Sequence, residues 1–393
     1  MNRKIISVLL VLMIILSSMT LYSCDKQNIL TDEEKAFVDE VKNTSSQYYR
    51  SLLTDDEEIL LYDEILSAVI LHDKEYTIRH FDSDTVNKVA LYITLDNPFV
   101  VLTDNLLEYK MTHDLDSEII DYLTEFDIPF SMNYDDPHEE ITESISKAKE
   151  IIENMPEYDD EYYIAKYFHD YLATNVSYST DEHTTVMHCT PYSALIRASG
   201  KCESYARAYS LLCNMAGLEC FMVMYDQSQS EDGVGHMWNM VKINGNYYYA
   251  DVTHDSFTQA IGYPKNYVAY DYFLTDESSL SEPYLISEKI ASVIPEVSSD
   301  TDNFFVKNGL VFNSYNRNTV GKAAGEFLKK QKEEDFCGVS IRFTDKKAYD
   351  KALEKSEFQK LLYVISQNDG YGAKTYNYGT NEKHLIIRIH PKN

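Results

Sequence analysis

The chain has 393 residues, 44% of them hydrophobic, with 13 glycines and 9 prolines, which suits two or three globular domains and excludes collagen-like or low-complexity architecture. Its formal net charge of −29 at pH 7 repels phosphate backbones, so no nucleic-acid partner is expected, and the acidity fits a protein kept soluble outside the cell.

Residues 1–23 read as a lipoprotein signal peptide. Arg3 and Lys4 give a basic start, and Ile5 to Leu16 is apolar apart from Ser7, a run too short to span a bilayer comfortably. Leu21-Tyr22-Ser23-Cys24 resembles the lipobox of bacterial lipoproteins, although Tyr22 is bulkier than usual there. The resemblance implies that Cys24 is lipidated and anchors an exported protein to the outer face of the cytoplasmic membrane.

The region 24–138 is expected to be a small α+β unit. Residues 32–72 predict helix, with Ile59, Tyr62, Ile65, Leu66 and Val69 at helical spacing. β-Branched and aromatic residues around 76–78, 89–93 and 99–102 predict strands, with Asp96-Asn97-Pro98 marking a turn.

The main domain is expected over 139–290 and opens with two amphipathic helices. Ile141, Ile145, Ala148 and Ile152 stripe the first; Tyr163, Ile164, Tyr167, Phe168, Tyr171 and Leu172 stripe the second. A linker at 291–302 leads to a small α+β domain at 303–393, with strands at 310–312, 339–343 and 385–389 and helices around 320–331 and 347–365. No chemistry is legible in that tail.

Cysteine use bears on the chemistry. Setting Cys24 aside leaves Cys189, Cys202, Cys213, Cys220 and Cys337, an odd number, so at least one thiol stays unpaired within a monomer. There is no CxxC pair, no HExxH and no calcium-loop signature, so neither a metal nor another cofactor is expected.

Gly200-Lys201-Cys202 precedes a helical run in which Tyr205, Tyr209, Leu212 and Met215 share a face and which Gly217 is placed to end. Cys202 therefore sits at a helix N-terminus, where unsatisfied N–H groups favour a thiolate and can face a developing oxyanion. Cys213, inside the same helix, reads as a buried inert thiol.

Residues 220–225, 236–243 and 246–252 predict three strands, the last two joined by Asn244-Gly245, a strong signal for a type I′ hairpin. That turn pairs Ile243 with Asn246, which puts His236 opposite Thr253 and Trp238 opposite Asp251. Side chains alternate with period two, so His236 and Asp251 project from one face as diagonal neighbours within reach of each other. A thiol, an imidazole and a carboxylate so arranged are what thiol catalysis needs: His236 takes the thiol proton and Asp251 fixes the imidazole and stabilises its cation.

Gly200-Lys201-Cys202-Glu203-Ser204-Tyr205-Ala206, His236-Met237-Trp238-Asn239 and Tyr248-Tyr249-Ala250-Asp251-Val252-Thr253 occur in an order that resembles bacterial members of the transglutaminase-like superfamily. Tyr192-Ser193-Ala194-Leu195 and Tyr270-Asp271-Tyr272-Phe273-Leu274 fit the flanks, so the resemblance covers about 140–280. It implies an α+β, papain-like core with the cysteine helix packed on an antiparallel sheet that carries the histidine and the aspartate. It also implies acyl transfer through a thioester, with Cys202, His236 and Asp251 as the triad. His254 stands where many relatives have tryptophan, which alters the cleft wall. Tyr178 and Tyr192 are candidates for a further oxyanion donor, and Trp238 for the cleft lining.

The expected activity is transfer or hydrolysis of protein or peptide amide bonds, including cell-surface or cell-wall peptide. The competing expectation is a catalytically silent binding or adhesion module on the same scaffold, since a fold alone does not imply catalysis.

Overall fold

The computed structural model describes residues 30–71, 83–101, 108–112, 122–127, 137–180, 188–225, 235–256, 262–276, 286–373 and 375–392. The signal segment with Cys24 and the strand expected at 76–78 lie outside these residues. Two compact units are defined by their internal contacts, residues 1–40 and 41–393. The described part of the first is 30–40, most of which belongs to the helix Asp32–Lys42. A capping box starts it: Thr31 Oγ1 accepts the Glu34 N–H at 3.2 Å and the Glu34 carboxylate accepts the Thr31 N–H at 2.8 Å. No described helix is long and apolar enough to cross a membrane.

The second unit begins with short helices. Tyr48–Ser51 and Asp56–Leu71 continue the expected helical stretch, broken at the polar connections. The strand expected at 89–93 is instead part of a helix, Ser83–Asp96. Val86, Val89, Ala90 and Ile93 are all buried, and their 3–4-residue spacing places them on one helical stripe. That periodicity overrides the β preference of branched side chains. Residues 99–101 form no strand; the turn at Pro98–Phe99 is present. Asp96 ends this helix fully buried, its carboxylate accepting the Tyr49 N–H (3.1 Å), the Arg50 N–H (2.9 Å) and the Tyr62 hydroxyl (3.1 Å). Strands β1 (Glu108–Thr112) and β2 (Tyr122–Asp127) then form an antiparallel pair.

The central part starts with the two expected helices, Pro137–Glu153 and Glu161–Asn175. The short strands β3 (Ser177–Tyr178) and β4 (Ser199–Gly200) pair in parallel, with the helix Pro191–Leu195 between them. The helix Cys202–Met215 follows and packs on a four-stranded antiparallel sheet of order β5-β6-β7-β8: Cys220–Tyr225, His236–Ile243, Asn246–Ala250 and Phe273–Thr275. This is an α+β, papain-like core. The Asn244-Gly245 turn is present, with Asn244 at φ 50° and Gly245 at φ 84°, as a type I′ turn demands. It sets the predicted register, Ile243 opposite Asn246 through to Asn239 opposite Ala250.

The remaining residues build a second four-stranded sheet of order β11-β12-β10-β9. Its strands are β9 (Val311–Phe312), β10 (Val339–Phe343), β11 (Tyr376–Asn381) and β12 (Ile386–Pro391), with β9 parallel to β10 and the rest antiparallel. The helix Arg317–Glu333 matches expectation; the one expected over 347–365 is two, Lys346–Leu353 and Lys355–Ser366, parted at Glu354, whose ψ of 126° leaves the helical region. No helix or strand occupies 294–302. This sheet is keyed to the central part by Asp271, which is fully buried and forms a bidentate pair with Arg388, with Ser340 Oγ and Asn381 Nδ2 donating as well. Tyr270 stacks on Phe304 at 4.1 Å beside it.

Candidate active site

Cys202 is the first residue of its helix, after Lys201, whose extended backbone supplies no side-chain cap. The Cys202 and Glu203 N–H groups precede the first hydrogen bond of the helix, in which Ser204 donates to the Lys201 carbonyl at 3.0 Å, and this positive end of the helix favours a thiolate. The helix is held more completely than one apolar face requires, because every residue from Ser204 to Cys213 is buried. Tyr205 donates to the Val176 carbonyl (2.7 Å), Ser210 to that of Cys220 (3.0 Å), and Asn239 Nδ2, on the histidine strand, to that of Ala206 (2.9 Å). Arg207, 1% exposed, spreads one terminal nitrogen over the carbonyls around 94–100, nearest Val100 at 2.5 Å.

Gly200 matters for space rather than for backbone conformation. A Cβ built there would lie 1.8 Å from Ser204 Oγ and 3.2 Å from the His188 carbonyl oxygen. The close approach lets β4 run beside 188, where Lys201 N–H donates to the same carbonyl at 2.8 Å, and then enter the helix at Cys202.

His236 opens β6 and stands nearly buried, its Nε2 2.7 Å from Asp251 Oδ2. That leaves Nδ1 as the second ring nitrogen, and Cys202 acts on the same imidazole. Trp238, two residues along the same strand face, stacks on the His236 ring at 5.7 Å and is itself buried. Burial alone would lower the proton affinity of His236. The Asp251 carboxylate outweighs it through charge and hydrogen bond, and with Cys202 alongside the pKa rises to about 10. Asp251 is likewise buried, yet the neighbouring His254 and His236 hold its carboxyl well below the usual carboxylate range.

Asp251 does not lie in the ladder, which stops at Ala250. It caps the short helix Val252–Asp255 by accepting the His254 N–H at 3.3 Å, and its own N–H donates to the Tyr272 carbonyl at 3.1 Å. Asp255, four residues on, receives the N–H groups of Asp271 (2.9 Å) and Tyr272 (3.1 Å) and contacts His169 Nε2 at 3.2 Å. Through Tyr272 and Asp271 the site is thus continuous with the second sheet.

Of the other expected residues, Tyr178 comes to the site: burial raises its hydroxyl to about 12, with Cys202, Cys189 and Asp251 adding to the effect. Tyr192 does not. Its hydroxyl turns to Glu143 on the helix Pro137–Glu153, and the Arg197 guanidinium lies over its ring. His254, expected to alter the cleft wall, lies at the site. Its Nδ1 stands 2.8 Å from Asp251 Oδ2, its ring meets that of His236 edge-on at 4.7 Å, and its side chain is 43% exposed. Its direct bond to Asp251 was not foreseen, although the Asp-Val-Thr motif beside it marks the place. All five described cysteines are free thiols, and Cys202 alone among them is not buried. Burial pushes the Cys189 and Cys220 thiols up and Cys337 to about 12.

A thiol at a helix N-terminus, beside a histidine at the start of a central strand and an aspartate just past the next one, is the arrangement of papain-like folds. Residues 148–252 match the model of the transglutaminase-like superfamily. Among solved structures, one described as "a Putative Cysteine Protease from Cytophaga hutchinsonii" is 15% identical over 28% of this chain and 37% of its own, with a TM-score of 0.23. Another, described as a TGase, is 14% identical over 48% of this chain and 50% of its own, with a TM-score of 0.28. This chain therefore spans half or less of either. No curated protein matches it.

Proposed function

We propose that the protein is an exported, lipid-anchored cysteine enzyme that transfers or hydrolyses acyl groups of protein or peptide amides. The observation that carries the reading is the constellation at the site: His236 Nε2 stands 2.7 Å from Asp251 Oδ2, and Cys202, first residue of its helix, acts on the same imidazole.

The Cys202 thiol gives its proton to His236 Nδ1, and the thiolate attacks a carboxamide or peptide carbonyl to form a tetrahedral intermediate. The oxyanion faces the first-turn N–H groups, with the Tyr178 hydroxyl in the same neighbourhood. The imidazolium, held by Asp251, then protonates the departing ammonia or amine, leaving a thioester. Water resolves the thioester to an acid; a second amine resolves it to a new amide. Deamidation, peptide hydrolysis and crosslinking share the first half and divide only at this step. Lipidation of Cys24 would hold the enzyme at the outer face of the membrane, among cell-surface proteins and cell-wall peptides.

The test is mass spectrometry of the purified protein with glutamine-containing and cell-wall-type peptides, in the presence and absence of a primary amine. A Cys202 adduct with loss of ammonia or amine, absent in Cys202→Ala, supports the enzyme. Unmodified peptides and no acyl-enzyme, under conditions where Cys202 still alkylates rapidly, would instead favour a silent binding module. Labelled palmitate incorporated by the wild type and lost in Cys24→Ser would establish the anchor.

A further inference from the structure

Three side chains at the site form a group that the thiol chemistry does not use as a group. His236 Nε2, Asp251 Oδ2 and His254 Nδ1 lie within 4.8 Å of one another. The carboxylate oxygen is already between the two nitrogens, at 2.7 Å and 2.8 Å. His236 and Asp251 are nearly buried, whereas His254 is on the open side, and the rings meet edge-on rather than stacked. Two imidazoles and one carboxylate, with one side open to solvent, match the donor set of three-ligand zinc sites whose fourth position holds water.

We propose that His236, Asp251 and His254 form an inhibitory site for a divalent transition metal, best suited to zinc. The proposal rests on the reading above that His236 is the base for Cys202. Zinc–nitrogen and zinc–oxygen bonds of ~2.0–2.2 Å put neighbouring ligand atoms ~3.3 Å apart in a tetrahedral shell. The carboxylate oxygen therefore draws back by about half an ångström, and the half-exposed His254 ring turns inward to complete the set. The metal takes the Nε2 lone pair, and the proton that Nε2 shared with Asp251 passes to Nδ1, so that His236 stays a neutral imidazole of the other tautomer.

The consequence for the thiol is direct. A neutral imidazole metallated at Nε2 carries its remaining proton on Nδ1, the nitrogen that faces Cys202. It then has no lone pair to receive the thiol proton, so Cys202 stays protonated and unreactive. Cys202 Sγ is not among the three donor atoms that cluster there. His254 supplies the third donor.

The experiment reads metal directly, without substrate. The full protein is titrated with zinc against a chromophoric chelator, and with cobalt as a spectroscopic probe, for the wild type, His254→Ala and Cys202→Ser. The expected result is one zinc per chain in the wild type and in Cys202→Ser, lost in His254→Ala, with visible cobalt bands of a four-coordinate site and no thiolate-to-cobalt charge transfer. In the wild type, zinc at ten times its Kd should slow iodoacetamide labelling of Cys202 by about tenfold, and leave the labelling rate of His254→Ala unchanged. Equal zinc binding by the wild type and His254→Ala, or binding abolished by Cys202→Ser, overturns the site. Normal zinc binding in a protein that forms no acyl-enzyme would instead count against the activity and leave the metal site standing.

Discussion

His236 Nε2 and Asp251 Oδ2 stand 2.7 Å apart even though the hairpin pairing stops at Asn239 and Ala250, short of both. The chain bends out of β7 at Asp251 and is caught there twice, by the His254 N–H on its carboxylate and by the Tyr272 carbonyl on its backbone. A flat continuation of the hairpin would have left the two as diagonal neighbours at ~7–8 Å between backbone positions. The bend turns that diagonal into a hydrogen bond.

Thiol reactivity follows from the same pair. At neutral pH Cys202 should alkylate at least about tenfold faster than Cys213, which is buried in the same helix, because a cysteine's nucleophile is the thiolate and access to it is needed. In His236→Ala that lead should shrink by an order of magnitude or more. Peptide mass spectrometry after timed iodoacetamide exposure gives both rates; equal labelling of the two cysteines in the folded protein would sink the idea.

The pair also links stability to pH, with opposite signs at its two ends. The His236 pKa is raised from 6.5 to about 10, so its contribution is complete below about 6.5 and is lost as pH climbs towards 10. Asp251 is depressed from 3.8, so its contribution is complete above that value and is lost as pH falls through the folded-state value. Denaturant unfolding of the wild type and His236→Gln between pH 5 and 10.5 should show a wild-type advantage that is largest at the acid end and declines above pH 6.5. A constant difference across the range would contradict the pairing.

Gly200→Ala tests the close approach that delivers Cys202. The added methyl collides with the Ser204 side chain, at the first turn of the helix, and with little slack at the His188 carbonyl. Overpacking of this kind costs about 1–3 kcal/mol. Stability measured by urea unfolding should fall by that amount, and Cys202 labelling should slow as the thiol shifts. Gly200→Ala combined with Ser204→Gly should recover part of both, whereas loss through backbone conformation alone would not be relieved.

Asp271 and Arg388 form a buried ion pair, side chains 0% and 13% exposed. Removing one partner leaves an uncompensated charge, so Arg388→Met should destabilise by about 3–5 kcal/mol, while Arg388→Met with Asp271→Asn should lose much less. Thermal and denaturant unfolding of the two variants decide it. Equal losses would mean that the guanidinium acts through packing rather than charge.

Much of the site was legible because short-range rules governed it. Asn244-Gly245 dictated the turn and hence the register, and Gly200 and Cys202 marked the start of the reactive helix. Where local preference and burial disagreed, burial won: Val89 and Ile93 carry strand-forming side chains, yet with Val86 and Ala90 they make the buried stripe of a helix. The strand Tyr376–Asn381 went unseen because asparagine and glycine weaken its pattern, and nothing in Leu353-Glu354-Lys355 announces the break between two helices. The Asp271–Arg388 pair was invisible for another reason: its partners meet by tertiary approach across 117 residues, and no periodicity encodes that.

The Asp271 clasp orders events in time as well as in space. A nascent chain emerges from its N-terminus, so Cys202, His236 and Asp251 are all exposed before Arg388 has been made. Until β12 arrives, Asp271 has no cation to justify its burial, and the backbone that holds Asp251 through Tyr272 lacks its outer support. Contacts so distant in sequence are among the slowest to form. A chain stopped short of Arg388 would contain Cys202, His236 and Asp251 without the ion pair that anchors the neighbouring Asp271 to the second sheet.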